Sequence, residues 1–221
     1  MSVGVLVFAR MSSQRWPGKA LQNFGGMPLL AWVLKRAQGL DAPVLLATSQ
    51  APADLALVEL AAALGVPSFR GELDDVLARA LAAAQALNVA HVLRLCGDRP
   101  YFDVDEAAQA LALAQRQPEL DLISNRLGGQ PAPGLTTELL SQRALLMAAQ
   151  STSDPLDREH LSRFHYAHLQ RLRSAALAPS PSWELRVALA VDTEADGARL
   201  QPRSDWTPAV PLAEVRAHFD G

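Results

Sequence analysis

Short apolar runs alternating with amphipathic segments of helix length constrain this chain more than any other feature. The runs are Val3–Phe8, Val44–Ala47, Val66–Phe69, His91–Leu95, Leu120–Ser124 and Leu185–Val191. Each is long enough for one buried strand, too short for a helix, and carries at least one β-branched residue. Between them, apolar residues recur at helical spacing: Leu29, Leu30, Trp32, Val33 and Leu34 after Met27-Pro28; Leu55, Val58, Leu60, Ala61 and Leu64; Leu77, Ala80, Leu81, Ala84 and Leu87. Asp74 is a candidate N-cap for the last of these, and Asp103 for a further helix through Gln115. Strands separated by such helices imply βαβ units with right-handed crossovers. The expected fold is therefore α/β, a Rossmann-like three-layer αβα sandwich with a mainly parallel sheet.

The pattern breaks after Asn125. Gly128, Gly129, Pro131, Pro133 and Gly134 crowd together and predict a loop or hairpin excursion instead of another crossover. Helices are expected again from Ser141 to about Gln150, from Asp154 onward carrying Leu161, Phe164 and His168, and from Leu212 to Phe219; Pro179–Ser182 reads as a turn. With 221 residues, 49% hydrophobic and 19% charged, the chain reads as one large domain over 1–221, with residues 126–175 as an excursion within it.

Charge and cysteine content exclude several classes. A net charge of −3 argues against generic nucleic-acid binding, so an anionic ligand must be met by a local cluster of cations. Cys96 is the sole cysteine, which excludes a disulfide framework and a cysteine-rich zinc site. It reads as strand packing more readily than as a nucleophile. The first apolar run lacks a basic leader, and no apolar stretch reaches membrane-spanning length, so a soluble cytoplasmic protein with no membrane partner is expected.

The local cation cluster follows the first strand. Arg10, Arg15 and Lys19 are spaced by Ser12, Ser13, Pro17 and Gly18, a loop at the carboxyl edge of the sheet, where open α/β folds bind ligands. Cations and free backbone N–H groups suit a polyphosphate. The loop is not a Walker A sequence, because Ser13 stands at the first glycine and Ala20 where a magnesium-binding hydroxyl belongs, and no Gly-x-Gly-x-x-Gly occurs. Spacing alone fits a solvated basic turn equally well. Asp98 and Asp192 follow two other strands on the same edge. They could share a divalent cation, since Mg²⁺ takes few protein ligands, or serve as a turn residue and a helix cap. His160, His165 and His168 follow one another with no thiolate to suggest zinc.

Ala9-Arg10-x-x-Ser13-x-Arg15-x-Pro17-x-Lys19 resembles the signature loop of the acylneuraminate cytidylyltransferase family, in its spore-coat-polysaccharide, CMP-ulosonate-synthetase-like branch. The resemblance continues through Gly25-Gly26-x-Pro28-Leu29, Ala47-Thr48-Ser49, Phe69-Arg70-Gly71-x-x-x-Asp75-Val76-Leu77-Ala78-Arg79, Arg94-x-x-x-Asp98-x-Pro100, Ser124-Asn125, Arg158-Glu159-His160 and Val191-Asp192-Thr193-x-x-Asp196. It covers about residues 3 to 200 in the family's order. It implies a nucleotidyltransferase fold and transfer of CMP from CTP to an acidic sugar, releasing pyrophosphate, with Mg²⁺ as cofactor and a role in surface polysaccharide or glycan synthesis. By position, Arg10, Lys19 and Asp98 would be catalytic. Ala9, Arg10, Ser12, Ser13, Lys19, Thr48, Gly71, Arg79 and Arg94 would bind the nucleotide, and Asn125, Glu138 and His160 the acceptor. Asp98 and Asp192 would bind Mg²⁺, and residues 126–175 would supply a homodimer contact.

The chain departs from that pattern at Ser12, usually glycine, and at Arg99, usually small or apolar. It also departs in the short segment 126–137, where Pro133 replaces a common aspartate. The nucleotide half is expected to be retained and the acceptor half to have diverged. The alternatives are the same chemistry on an alcohol phosphate, a phosphonate or a pterin cofactor, or a catalytically silent nucleotide-binding domain.

Overall fold

In the computed structural model, residues 2–178 and 187–219 are described. The strands are β1 (Val3–Phe8), β2 (Asn23–Phe24), β3 (Met27–Pro28), β4 (Val44–Ser49), β5 (Ser68–Gly71), β6 (His91–Cys96), β7 (Leu122–Ser124), β8 (Glu138–Ser141) and β9 (Ser174–Ala176). The helices are α1 (Leu29–Ala37), α2 (Leu55–Ala63), α3 (Val76–Ala86), α4 (Val104–Arg116), α5 (Gln142–Ser151), α6 (Pro155–Glu159), α7 (Arg163–Ala167), α8 (Glu194–Arg199) and α9 (Leu212–Phe219). Seven strands form one sheet in the order β5-β4-β1-β6-β8-β7-β9, and β2 and β3 make a separate short hairpin. The pairs β4–β5, β1–β4, β1–β6 and β7–β9 are parallel, whereas β8 runs antiparallel between β6 and β7.

Alternation of side chains along β1 sets the three layers. Val3, Val5 and Val7 face α1, α2 and α4 through Leu34, Leu57 and Ala110, while Leu6 and Phe8 face α3 and α5 through Ala80 and Leu145. A third apolar group, built on Trp32, Tyr101, Leu189, Val191 and Val215, seats the hairpin, α8 and α9 beside the sheet. Arg36 ties this annex down by donating to the carbonyls of Phe102, Pro208 and Val210.

Several expectations are corrected. The cap of α3 is Asp75, whose carboxylate accepts from Ala78 N at 2.8 Å, and not Asp74. The third strand begins at Ser68, two residues later than its apolar run, because β5 follows the register of β4. Pro28 occupies the N-cap position of α1 with extended ψ, paired in the hairpin, so the helix starts one residue later. The helix expected from Asp154 is two short ones, because His160 leaves helical geometry (φ −98°, ψ 86°). The loop expected after Asn125 is present and returns as β8, an antiparallel strand in a sheet whose other pairings are parallel. Asp192 caps nothing: Thr193 is the N-cap of α8, in a reciprocal capping box with Asp196. Residues 187–191 carry no strand assignment, and the rest of the expected last strand lies outside the described residues, as does the turn at 179–182.

His165 belongs to the core. Both ring nitrogens lie 3.0 Å from carbonyl oxygens, Leu161 O and Ala144 O, and burial holds its pKa below the ordinary histidine value. A native pKa below the unfolded one means that the unfolded chain takes up the proton first as pH falls, so stability is lost below the ordinary histidine range. Glu138 and Asp121 oppose the shift without reversing it. Wild type should therefore lose more unfolding free energy than His165→Gln between pH 7 and 5.5 in urea titrations. Equal losses would remove His165 as the cause.

Candidate active site

A cleft of 590 Å³ opens at the carboxyl edge of β1 and β6. Loop 9–19 forms one wall, with Ala9, Arg10, Ser13, Arg15 and Lys19 facing inward. Arg79 comes from α3, Arg94 and Cys96 from β6, and Asp98 and Arg99 from the turn after β6. Glu159 and His160 close it from α6, and Asp192 enters from the segment before α8.

At the centre, the Lys19 ammonium donates to Asp98 Oδ2 at 2.7 Å, Val191 O at 2.8 Å and Asp192 Oδ1 at 3.3 Å. Two carboxylates far apart in sequence, one after β6 and one just before α8, thus converge on one cation. Arg15 reaches the same Asp192 oxygen at 2.8 Å, and Arg10 pairs with Glu159 at 3.1 Å. Both aspartates remain partly exposed. Two hard oxygen donors that meet a single cation, with open space beside them, suit an ion that keeps several waters, as Mg²⁺ does. Among the described residues no group of three or more His, Cys, Asp or Glu could hold a metal, so the pair is the oxygen donor set available.

The loop's shape has two anchors. Asp54, buried at the start of α2, accepts from Met11 N at 2.7 Å, from Thr48 Oγ1 at 3.0 Å and from Ser49 N at 3.1 Å. Thr48 also donates to Ala9 O at 2.9 Å. Asp54 is absent from the sequence-derived set; its only signal is an aspartate behind Ser49 and Pro52 in an otherwise apolar helix. The second anchor is Trp16, whose ring lies so close to Gly197 that a Cβ there would fall 2.5 Å from two ring atoms. Gly197→Ala should gain up to about 1 kcal/mol of helix propensity on α8, yet it must displace Trp16 and the loop between Arg15 and Lys19. We expect the KM for nucleotide to rise severalfold with no gain in Tm; a more stable variant with unchanged KM would show that the contact does not position the loop.

The structure does not bring all the sequence-derived residues to the cleft. Thr48 is fully buried beneath the loop. Gly71 lies on β5 against the Arg79 side chain, and exposed Ser12 points off the cleft wall. Asn125 is fully buried, its amide donating to Glu106 Oε2 and Leu135 O and accepting from Thr137 N. Glu138 is buried behind Arg94. Neither of these two faces the cleft: Glu138 is covered by Arg94, its partner in register, and Asn125, in the turn after β7, is held by its own hydrogen bonds. Arg79 donates to the carbonyls of Glu72 and Leu73, which fixes the loop before α3, and its Nε has no hydrogen-bond partner among the described residues. Burial, and then the nearby Arg10 charge, lower its pKa from the ordinary arginine value.

A mixed α/β sheet with a cationic loop after its first strand and a carboxylate pair at its carboxyl edge defines a nucleotidyltransferase. The cytidylyltransferase family profile matches residues 4–189, and the chain belongs to that family. A solved cytidylyltransferase from Leptospira borgpetersenii superposes over 100% of this chain and 94% of its own, with a TM-score of 0.92 at 25% identity. An uncharacterized protein of Methanocaldococcus jannaschii is 27% identical over 201 residues, 89% of this chain and 80% of that protein. The 3-deoxy-manno-octulosonate cytidylyltransferase of Verminephrobacter eiseniae is 34% identical over 121 residues, 52% of this chain and 43% of that enzyme. Among the described residues no helix is long and apolar enough to cross a membrane.

Proposed function

We propose that the protein transfers CMP from CTP to a hydroxyl of an acidic sugar of the ulosonic or sialic type, releasing pyrophosphate, with Mg²⁺ as cofactor. The observation that carries this reading is the Lys19 bridge between Asp98 and Asp192 on the floor of a cationic cleft. Membership of the cytidylyltransferase family supports CTP as donor, and the sequence likeness to the octulosonate enzyme supports an acidic sugar.

In this reaction a sugar oxygen forms a bond to the α-phosphorus while the bond to the bridging oxygen breaks, and pyrophosphate leaves. The approach joins two anions, so positioning and charge neutralisation dominate. Arg10 and Lys19, with backbone N–H groups of the loop other than Met11 N, which Asp54 holds, bind the triphosphate. Loop 71–75, fixed by Arg79, lines the nucleoside. Asp98 and Asp192 hold Mg²⁺, which when bound neutralises charge on the phosphate oxygens. His160 faces the acceptor. The chain acts as a single catalytic domain in surface-glycan synthesis within the acylneuraminate-like branch, and residues 126–175 contribute a homodimer contact.

The test is pyrophosphate release from CTP, GTP, ATP and UTP against acidic sugars, alcohol phosphates and phosphonates, with Mg²⁺ or with chelator. Release that needs CTP, an acidic sugar and Mg²⁺ together is expected. A response confined to GTP would reject the cytidylyl assignment, and one confined to phosphorylated alcohols would reject the acidic sugar.

A further inference from the structure

Arg94 differs from the other cations of the cleft in where its partner sits. Arg10, Arg15 and Lys19 pair with Glu159, Asp98 and Asp192, carboxylates that themselves line the cleft and can exchange them for a ligand. The partner of Arg94 is Glu138, on the neighbouring strand β8, opposite it in register and only 1% exposed. Arg94 Nη1 donates to Glu138 Oε2 at 2.7 Å. The second oxygen of Glu138 lies 3.9 Å from Arg126, which in turn stacks over the Tyr166 ring at 4.4 Å. That oxygen of Glu138 is buried and has no hydrogen-bond partner among the described residues; the Ser124–Tyr166 hydroxyl pair lies one strand further on.

This arrangement leaves Arg94 committed but not spent. Its side chain is 22% exposed, and the contact with Glu138 uses one nitrogen of a guanidinium that has five N–H donors. The Glu138 carboxylate favours the charged form of Arg94 against burial, and Arg94 in turn keeps Glu138 ionised against its own burial. Stability alone does not account for such a pair, because apolar residues of similar volume often serve a core as well or better. Arg99, whose Nη1 donates to Thr136 O just before β8, adds a second cation on the same side. Cleft-facing positive charge thus exceeds negative charge where β6 meets the excursion, on the side away from β4 and β5. A carboxylate or phosphate fits that surplus, and a planar guanidinium with a fixed direction suits it in two-pronged fashion.

We infer that Arg94, aimed into the cleft by Glu138, reads the anionic group of the acceptor, and that Glu138 is a positioning residue that touches no substrate. The inference rests on the nucleotidyl-transfer reading above and deepens it: it moves Arg94 from the nucleotide to the acceptor, and Glu138 from contact to support.

The experiment measures KM for CTP and for acceptor separately in wild type, Arg94→Gln, Arg94→Lys and Glu138→Gln. 3-Deoxy-manno-octulosonate, N-acetylneuraminate and a sugar phosphate serve as acceptor probes, and calorimetric titration of CTP reports the fold and the nucleotide half. Arg94→Gln should raise the acceptor KM about tenfold or more and leave the CTP KM and CTP binding within twofold. Arg94→Lys, a charge without the fork, should recover part of the loss. Glu138→Gln should resemble Arg94→Gln, and the double variant should lose little more than either single one. If the enzyme uses only the sugar phosphate and Arg94→Gln raises its KM, the inference stands and the acidic-sugar reading fails. If an acidic sugar is used but Arg94→Gln weakens CTP instead, or changes neither KM, the inference fails and the reading stands. A wild-type enzyme that uses none of these anions overturns both.

Discussion

Asp98→Asn and Asp192→Asn should each lower CTP-dependent pyrophosphate release by about 10²–10³-fold, with circular dichroism and Tm close to wild type. The two carboxylates lie far apart in the sequence and meet at one ammonium, Lys19 Nζ, at 2.7 and 3.3 Å. Loss of one charge removes half of an oxygen donor set that has no third protein carboxylate to replace it among the described residues. The expected magnitude is that for removing one preorganised electrostatic group from a site where charge develops. Stability should barely respond, because both carboxylates are a quarter or more exposed and such pairs are weak in solvent. Lys19 also keeps the Val191 carbonyl as an acceptor in either variant. A rise in Mg²⁺ needed for half-maximal rate should accompany the loss. Unchanged turnover in both variants would overturn the shared-cation account, and loss in one alone would assign the role to that residue.

How much of this was legible in the sequence depends on the range of the interaction that decides each feature. The β1 strand, the cationic loop and the carboxyl-edge placement of Asp98 follow from local periodicity and turn chemistry, and the structure has them together. Asp192 reaches the same edge although residues 187–191 carry no strand assignment: Val191 N donates to Asp98 O, which seats it beside Lys19. Strand β8 was not legible. The Gly/Pro cluster at 128–134 announces an excursion in place of a crossover, but nothing local in Glu138–Ser141 shows that the chain re-enters the sheet between β6 and β7. The resemblance places Glu138 and Asn125 toward the acceptor; in the structure both are buried, Glu138 behind Arg94 and Asn125 against Glu106, through contacts that no local pattern announces. Asp54 carries no local signal for a related reason: it acts across 43 residues, on the amide of Met11. The break at His160 separates α6 from α7, so Glu159 can turn to Arg10 while His165 stays in the core.

The strap that delivers Asp192 is where a substitution remote from the cleft should have its largest effect. Gly134 has φ +98°, in the region that favours glycine, and a Cβ there would lie 2.5 Å from the Leu189 carbonyl carbon and 2.7 Å from Ala190 N. Those are backbone atoms, so no rotamer change relieves the clash. Beside it, Leu189 N donates to Pro133 O at 2.7 Å and Val191 N to Asp98 O at 2.9 Å, which seats the segment carrying Asp192 and the Val191 carbonyl under Lys19. Gly134→Ala should cost about 2–4 kcal/mol from backbone strain and overpacking. It should also push the segment off Pro133 and with it Asp192 away from Lys19, which lowers turnover by about a hundredfold in protein that is still folded at 20 °C. Strain alone would lower Tm and spare the rate of the folded fraction, so the two effects are separable. The deciding measurement is the double variant: Gly134→Ala in the Asp192→Asn background should lose little further activity, because the carboxylate it displaces is already gone. Full multiplication of the two losses would mean that Gly134 acts on the site by some route other than Asp192.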